Sequence, residues 1–152
     1  MNQKTLTIDI GGTFIKTGLI DKKCQLSHTT KIPTPYKSQE DFLNTLQHIY
    51  HDYKKYGING IAISTPGKID VDQGILLTSG ALTYLEGMHL IERLTPLCDG
   101  LPISVENDGK AAALCESWVG QGHDKKSCVV LLFGSGIGGG IVIDGKILRG
   151  SD

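Results

Sequence analysis

Three stretches combine residue types that do chemistry at characteristic spacings. Asp9-Ile10-Gly11-Gly12-Thr13 and Gly134-Ser135-Gly136-Ile137-Gly138-Gly139-Gly140 each place a glycine-rich turn behind an apolar run. Such turns let backbone N–H groups reach phosphate oxygens, because a Cβ would hold the anion away. Hairpin turns that need positive φ have the same composition. Two such segments, one preceded by the Asp9 carboxylate and followed by the Thr13 hydroxyl, favour phosphate. The third stretch, Glu106-Asn107-Asp108, sits where an apolar run gives way to a helix-forming one. A helix N-terminus there favours ionised Asp108 by up to about 1 kcal/mol. An ionised carboxylate at that junction is placed to accept a proton from a substrate hydroxyl, and phosphoryl transfer needs little more than a base, positioning and charge neutralisation. Spacing alone leaves helix capping and proton acceptance equally open.

Two familiar readings of the second glycine segment fail. Gly134, Gly136 and Gly139 form a G-x-G-x-x-G, but a dinucleotide fingerprint opens a helix. Here the glycines lead into Ile141-Val142-Ile143-Asp144-Gly145-Lys146, a strand and a tight turn. A phosphate-loop reading of residues 140–146 puts Ile147 where a magnesium-binding hydroxyl belongs.

The elements that position these residues emerge from apolar periodicity. Leu6, Ile8 and Ile10 alternate with polar residues, Ile15 to Ile20 resumes extended character, and Gln25 to Ile32 gives a third strand ended by Pro33 and Pro35. Ser38 and Asp41 signal a helix start, Phe42, Leu46, Ile49 and Tyr53 recur at helical spacing, and Gly57 stops the run. Ile58 to Ser64 reads as a buried strand before the Thr65-Pro66-Gly67 turn. Asp70 to Leu77 predicts a hairpin around Gln73-Gly74, and Met88, Ile91 and Leu94 a short helix stopped near Pro96. Leu101 to Glu106 is a strand, and Asn107 caps a helix running to Trp118. The order β-β-β-α-β-α-β-α predicts an α/β layer on a mixed sheet. Shifted by 123 positions, residues 5–21 lie over residues 128–144 without a gap, each reading as strand, glycine turn, strand.

Composition narrows the function classes. The chain has 152 residues, 39% hydrophobic and 20% charged, with 15 basic and 16 acidic residues for a net charge of -1. That length supports one ordinary domain, burying roughly 70% of its unfolded surface. The charge balance implies no nucleic-acid partner and no acidic membrane surface. The longest apolar run, Val129 to Phe133, is far too short for a bilayer, and no basic-then-apolar leader precedes the first strand, so a cytoplasmic location is expected. The four cysteines form no C-x-x-C pair and read as free thiols; His48 and His51 share a helix face without a third metal ligand.

Together with Thr65-Pro66-Gly67 and Ala111-Ala112-Ala113, these segments resemble, in order and approximate spacing, the ROK family of bacterial sugar kinases. Thr78-Ser79-Gly80-Ala81-Leu82 is similar to its glucokinase and β-glucoside kinase branch. The resemblance implies the actin-like (hexokinase/Hsp70) ATPase fold, an α/β architecture whose two lobes close on ATP and a sugar. Residues 1–122 would be a complete N-terminal phosphate- and sugar-binding lobe with a mixed sheet and flanking helices, and residues 123–152 the first hairpin of a truncated second lobe. It further implies that Gly11, Gly12 and Thr13 contact the transferred phosphate, with Lys16 a further candidate that is equally a solvated strand residue. Asp9 would hold Mg2+ through water, and Gly134, Ser135 and Gly136 would line the second phosphate site. Asn107 would bind sugar hydroxyls, Gly67 would shape the sugar cleft unless it is a plain turn, and Asp108 would be the catalytic base. Asp108-Gly109-Lys110 departs from the family's commoner Asp-Ala-Asn. The family's Gly-Glu-Ile-Gly-His segment, zinc motif and adenine-binding region find no counterpart within these residues, so zinc is assigned to none of them.

The expected function is ATP-dependent transfer of a phosphoryl group to a primary hydroxyl of a hexose or glucoside, the 152 residues alone being inactive. The alternatives are a sugar-responsive repressor and a non-catalytic sugar-binding module. Only eight residues of this sequence precede Asp9 and its charge is balanced, so the DNA-binding alternative is the less expected. Apolar strands at residues 129–133 and 141–143 lead us to expect a homo-oligomer or self-associating chain, or loss of order beyond residue 122.

Overall fold

A computed structural model describes residues 3–134 and 136–150. The chain packs as two compact units, Met1–Glu106 and Asn107–Asp152.

The first unit is built on a mixed sheet. Strands β1 (Lys4–Ile10), β2 (Phe14–Asp21) and β3 (Leu26–Pro33) form an antiparallel meander. Helix α1 (Gln39–Lys54) then crosses over to β4 (Ile58–Thr65), which pairs parallel to β1. With β8 (Ile103–Asn107) the five-stranded order is β3-β2-β1-β4-β8. Alternation makes Leu6, Ile8 and Ile10 one buried face, and the helical repeat makes Phe42, Leu46, Ile49 and Tyr53 another; both belong to a single core. Ser38 caps α1 by accepting the Asp41 N–H at 3.1 Å, and Gly57 at φ 68° allows the chain to turn away after it. The outer strand β3 is blunted by a bulge at His28 (φ 53°), by Lys31 and by Pro33.

A small sheet, β5 (Ile69–Asp70), β6 (Ile75–Leu76) and β7 (Met88–His89), completes the unit with α2 (Leu90–Leu94). Met88, expected in the helix, is a strand residue, because its backbone pairs with Leu76 before α2 begins. Near the end of α1, the buried Tyr50 donates its hydroxyl to Asp99 at 2.6 Å, and Lys54 pairs with the same carboxylate. Burial, and then the Asp99 hydrogen bond, push the Tyr50 hydroxyl up to about 12. The native state therefore favours the neutral phenol. Its contribution is full below the unfolded value of about 10 and is lost as pH rises through about 12. Unfolding midpoints should fall between those pH values, and Tyr50→Phe should flatten part of the fall; an unchanged alkaline profile would remove Tyr50 from the account.

The second unit contains α3 (Asp108–Trp118), β9 (Ser127–Phe133), β10 (Ile137–Ile143) and β11 (Lys146–Ile147), with strand order β11-β10-β9. Helix α3 packs on the hairpin, so the second compact unit begins at Asn107. The fit is close enough to need glycine. A Cβ on Gly140 would lie 2.8 Å from that of Ala113 and 2.9 Å from the Gly109 carbonyl, and one on Gly109 would lie 2.6 Å from the Gly139 nitrogen. Gly109 therefore trades helix propensity for approach to the sheet. Gly140→Ala should lower stability by about 1–3 kcal/mol through overpacking, read as a lower urea midpoint; an unchanged midpoint would show that the helix shifts freely.

The residues that overlay at a shift of 123 are both hairpins, β1–β2 and β9–β10. Their turns differ: residues 11–14 separate the paired Ile10 and Ile15, whereas residues 134–136 separate Phe133 and Ile137. The gapless overlay therefore fits β1 on β9 but sets β2 one residue out of register with β10. The described residues beyond 122 form three strands, and one face of the hairpin is bare: Val129 and Leu131 are each 63% exposed and Phe133 77%.

Candidate functional site

In the first unit, the C-terminal ends of the parallel strands β1 and β4 bring Asp9 and Ser64 opposite one another, the usual binding end of such a sheet. Ser64 Oγ donates to Asp9 Oδ1 at 2.8 Å, and Lys16, paired with Asp9 across the hairpin, places its Nζ 3.6 Å from Oδ2. Half of the Asp9 side chain remains exposed. Lys16 is thus neither isolated nor buried, and an ion pair this exposed holds little energy. Among the described residues no three His, Cys, Asp or Glu side chains gather as a metal cage. One half-exposed carboxylate, fixed by Ser64 on Oδ1 and loosely paired with Lys16 on Oδ2, suits Mg2+, which keeps most of its waters and takes phosphate oxygens as further ligands.

Beyond Asp9 the chain makes the Gly11–Phe14 turn, in which the Gly11 N–H donates to the Phe14 carbonyl at 3.0 Å. Buried Thr34 ties this turn from the side. Its hydroxyl donates to the Gly11 carbonyl at 2.7 Å, and its N–H donates to the Thr13 carbonyl at 3.0 Å. The hairpin-turn explanation of the glycines fails, since neither Gly11 nor Gly12 has positive φ. Gly11 is crowded, an added Cβ lying 3.0 Å from the Phe14 carbonyl oxygen; at Gly12 a Cβ would make only an ordinary 3.6 Å contact with Ala81. The fold does not demand glycine at position 12. The Thr13 side chain stands exposed beside it.

Gly67 is demanded. It has φ 96°, and a Cβ there would lie 2.2 Å from the Thr78 carbonyl oxygen. Its absent side chain lets the Thr65-Pro66-Gly67 turn close against the backbone at residues 78–79. The Thr65 and Ser79 hydroxyls are fully buried and have no hydrogen-bond partner among the described residues. Orphaned polar atoms of this kind are satisfied by ordered water or a ligand group.

In the second unit, Asn107 caps α3, its Oδ1 accepting the Lys110 N–H at 3.1 Å. Asp108 Oδ1 accepts the Gly109 N–H at 2.8 Å, so the carboxylate is held in the first turn by one oxygen. Gly134 and Gly136 close the hairpin through Gly134 N–H to the Gly136 carbonyl, 2.9 Å. Neither has positive φ, and a Cβ on either would meet nothing within 4 Å. Ser135 lies outside the described residues.

The first unit therefore gathers Asp9, Gly11, Gly12, Thr13 and Lys16, and the second joins Asn107 and Asp108 on one helix start. Ser64 and Thr34 escape sequence reasoning. Ser64 carries a readable signal, a hydroxyl at the end of a buried strand; Thr34, between two prolines, carries none. A groove of about 480 Å³ between α1 and β3, lined by His28, His48 and Tyr53 among others, contains none of the predicted residues.

The model of the ROK family matches residues 5–152. The β-glucoside kinase of Listeria innocua is 35% identical over 97% of this chain and 49% of its own length. A ROK family glucokinase from Streptomyces griseus, solved with glucose and AMPPNP, superposes with a TM-score of 0.87 at 28% identity, over 97% of this chain and 47% of that one. A ROK family transcriptional regulator, homologous to the E. coli MLC protein, gives a TM-score of 0.86 at 28% identity, over 99% and 39%. The chain spans about half the length of the curated relatives it matches. The fold is that of the actin-like sugar kinases.

Proposed function

We propose, from the premise that this chain belongs to the ROK family, that its protein is an ATP-dependent sugar kinase acting on a primary hydroxyl of a hexose or glucoside. The observation that carries the reading is Gly12. Neither backbone conformation nor packing requires glycine there, whereas a phosphate group resting on the turn does. Gly134 and Gly136 repeat the pattern at the second hairpin.

In this reading the Gly11–Thr13 turn holds the transferred phosphoryl group by its backbone N–H groups and the Thr13 hydroxyl, with Lys16 adding positive charge. Thr34 keeps the turn from opening. Asn107 orients the sugar, and Asp108 accepts the proton of the attacking hydroxyl on the oxygen not bound to Gly109. Asp9, steadied by Ser64, would hold Mg2+ through water. That ion, when bound, neutralises charge on the phosphates. Residues 1–122 and 123–152 are proposed as parts of the two lobes, with the α3 helix packed on the second.

The likeness to a transcriptional regulator supports a second reading, a sugar-responsive repressor, which needs the cleft and no turnover. Sugar-dependent ADP release by the full-length protein, with ATP, Mg2+ and a panel of hexoses and β-glucosides, separates the two. Turnover establishes the kinase; saturable sugar binding without ADP release overturns it.

A further inference from the structure

We infer that Lys31 is a binding residue for the phosphoryl donor, forming with Lys16 a cationic row that takes the phosphates behind the group seated on the Gly11–Thr13 turn. The inference rests on the kinase reading and extends its phosphate site onto β3.

Strand register sets the row. Ser64 lies opposite Asp9, Asp9 opposite Lys16, and Lys16 opposite Lys31, so these side chains cross β4, β1, β2 and β3 on one face of the sheet. Thr17, next to Lys16, turns the other way and shares a hydrogen bond with the Tyr53 hydroxyl of α1 at 2.9 Å. The row therefore lies on the face that α1 leaves free. Like charges directly opposite one another on adjacent strands are unfavourable. At the far end of the β1–β2 hairpin the register sets Lys4 against Asp21. Near the turn it sets lysine against lysine, with the Asp9 carboxylate beside only one of them.

The two ammonium groups are held differently. Lys16 reaches back to Asp9, 3.6 Å away. Lys31 places its Nζ 3.8 Å from the centre of the Phe14 ring. Phe14 directly follows Thr13, and its side chain is 38% exposed. Among the described residues no carboxylate pairs with Lys31. A cation–π contact on an exposed ring keeps the ammonium beside the residue next to the turn without cancelling its charge. A carboxylate at position 31 would blunt the outer strand as well, and would pair with Lys16. A second lysine in that place answers an anion from outside the sheet. A phosphoryl donor brings further phosphates behind the transferred one, and neutralising such charge is much of what the protein must do. Asp9 matches the charge of Lys16; that of Lys31 is left for the donor.

The test compares the full-length wild type with Lys31→Glu, Lys31→Gln and Lys31→Arg, varying ATP and sugar separately. Lys31→Glu should raise KM for ATP about tenfold and Lys31→Gln by less, with sugar KM unchanged and Lys31→Arg matching wild type. Should Lys31→Glu fail to fold, Lys31→Gln carries the same comparison. An unchanged KM for ATP, or ATP and sugar KM rising together, overturns the inference. If the wild type turns over no sugar, the kinase reading fails separately, and calorimetric binding of inorganic tripolyphosphate decides the role of Lys31. Binding about tenfold weaker in Lys31→Glu supports the row; equal Kd, or no binding by the wild type, overturns it.

Discussion

Asp108→Asn in the full-length protein should lower kcat by about 10²–10⁴-fold, the range a positioned general base supplies. The substitution keeps the shape of the side chain and its acceptor oxygen toward the Gly109 N–H, 2.8 Å away. Asn107 continues to cap α3 through the Lys110 N–H. The helix start should therefore survive, and sugar KM should move far less than kcat. Loss of turnover with an unchanged unfolding midpoint assigns Asp108 to proton transfer. A midpoint that falls in step with turnover assigns it to the helix cap instead, and an unchanged rate removes the role of base.

Gly12→Ala should reduce turnover about 100-fold, the scale set by misplacing a reacting group by an ångström. Stability should stay within about 0.5 kcal/mol, as for an ordinary surface change. The expectation rests on a single distance: the added methyl meets only Ala81, at 3.6 Å. It also reverses what Gly140→Ala predicts, where the methyl meets Ala113 and backbone at under 3 Å and stability falls. Activity should separate from stability at one glycine and not at the other. Retained activity in Gly12→Ala would withdraw the phosphate assignment from that turn.

The contrast between those glycines explains what the sequence can and cannot show. The strands and α1 are legible because alternation and helical spacing record which face is buried: Leu6, Ile8 and Ile10 on one side, Phe42, Leu46 and Ile49 on the other. The Ser38 and Asn107 caps are legible because a side-chain oxygen before a helix has a local partner. Gly134 to Gly140 reads as a single phosphate-binding run, yet Gly139 and Gly140 are small because backbone and α3 come close. Only three-dimensional packing tells those roles apart. Thr34 is hidden for the same reason, its two partners lying more than twenty residues away along the chain. Met88 fits a helical spacing but is claimed by strand pairing with Leu76, a partner that periodicity does not encode.

The bare face of the β9–β10 hairpin, with Val129, Leu131 and Phe133 outward, has a consequence for biosynthesis. Domains fold in order as they leave the ribosome, at about 5–20 residues per second. A nascent chain that has reached this hairpin has already buried the core of its first unit, and its aliphatic strand is a ready ligand for a holdase chaperone. Slowing translation just after this point should lengthen that encounter and shift the yield toward aggregates, whereas the first unit, with its outer strand blunted by His28, Lys31 and Pro33, should be indifferent to the pause.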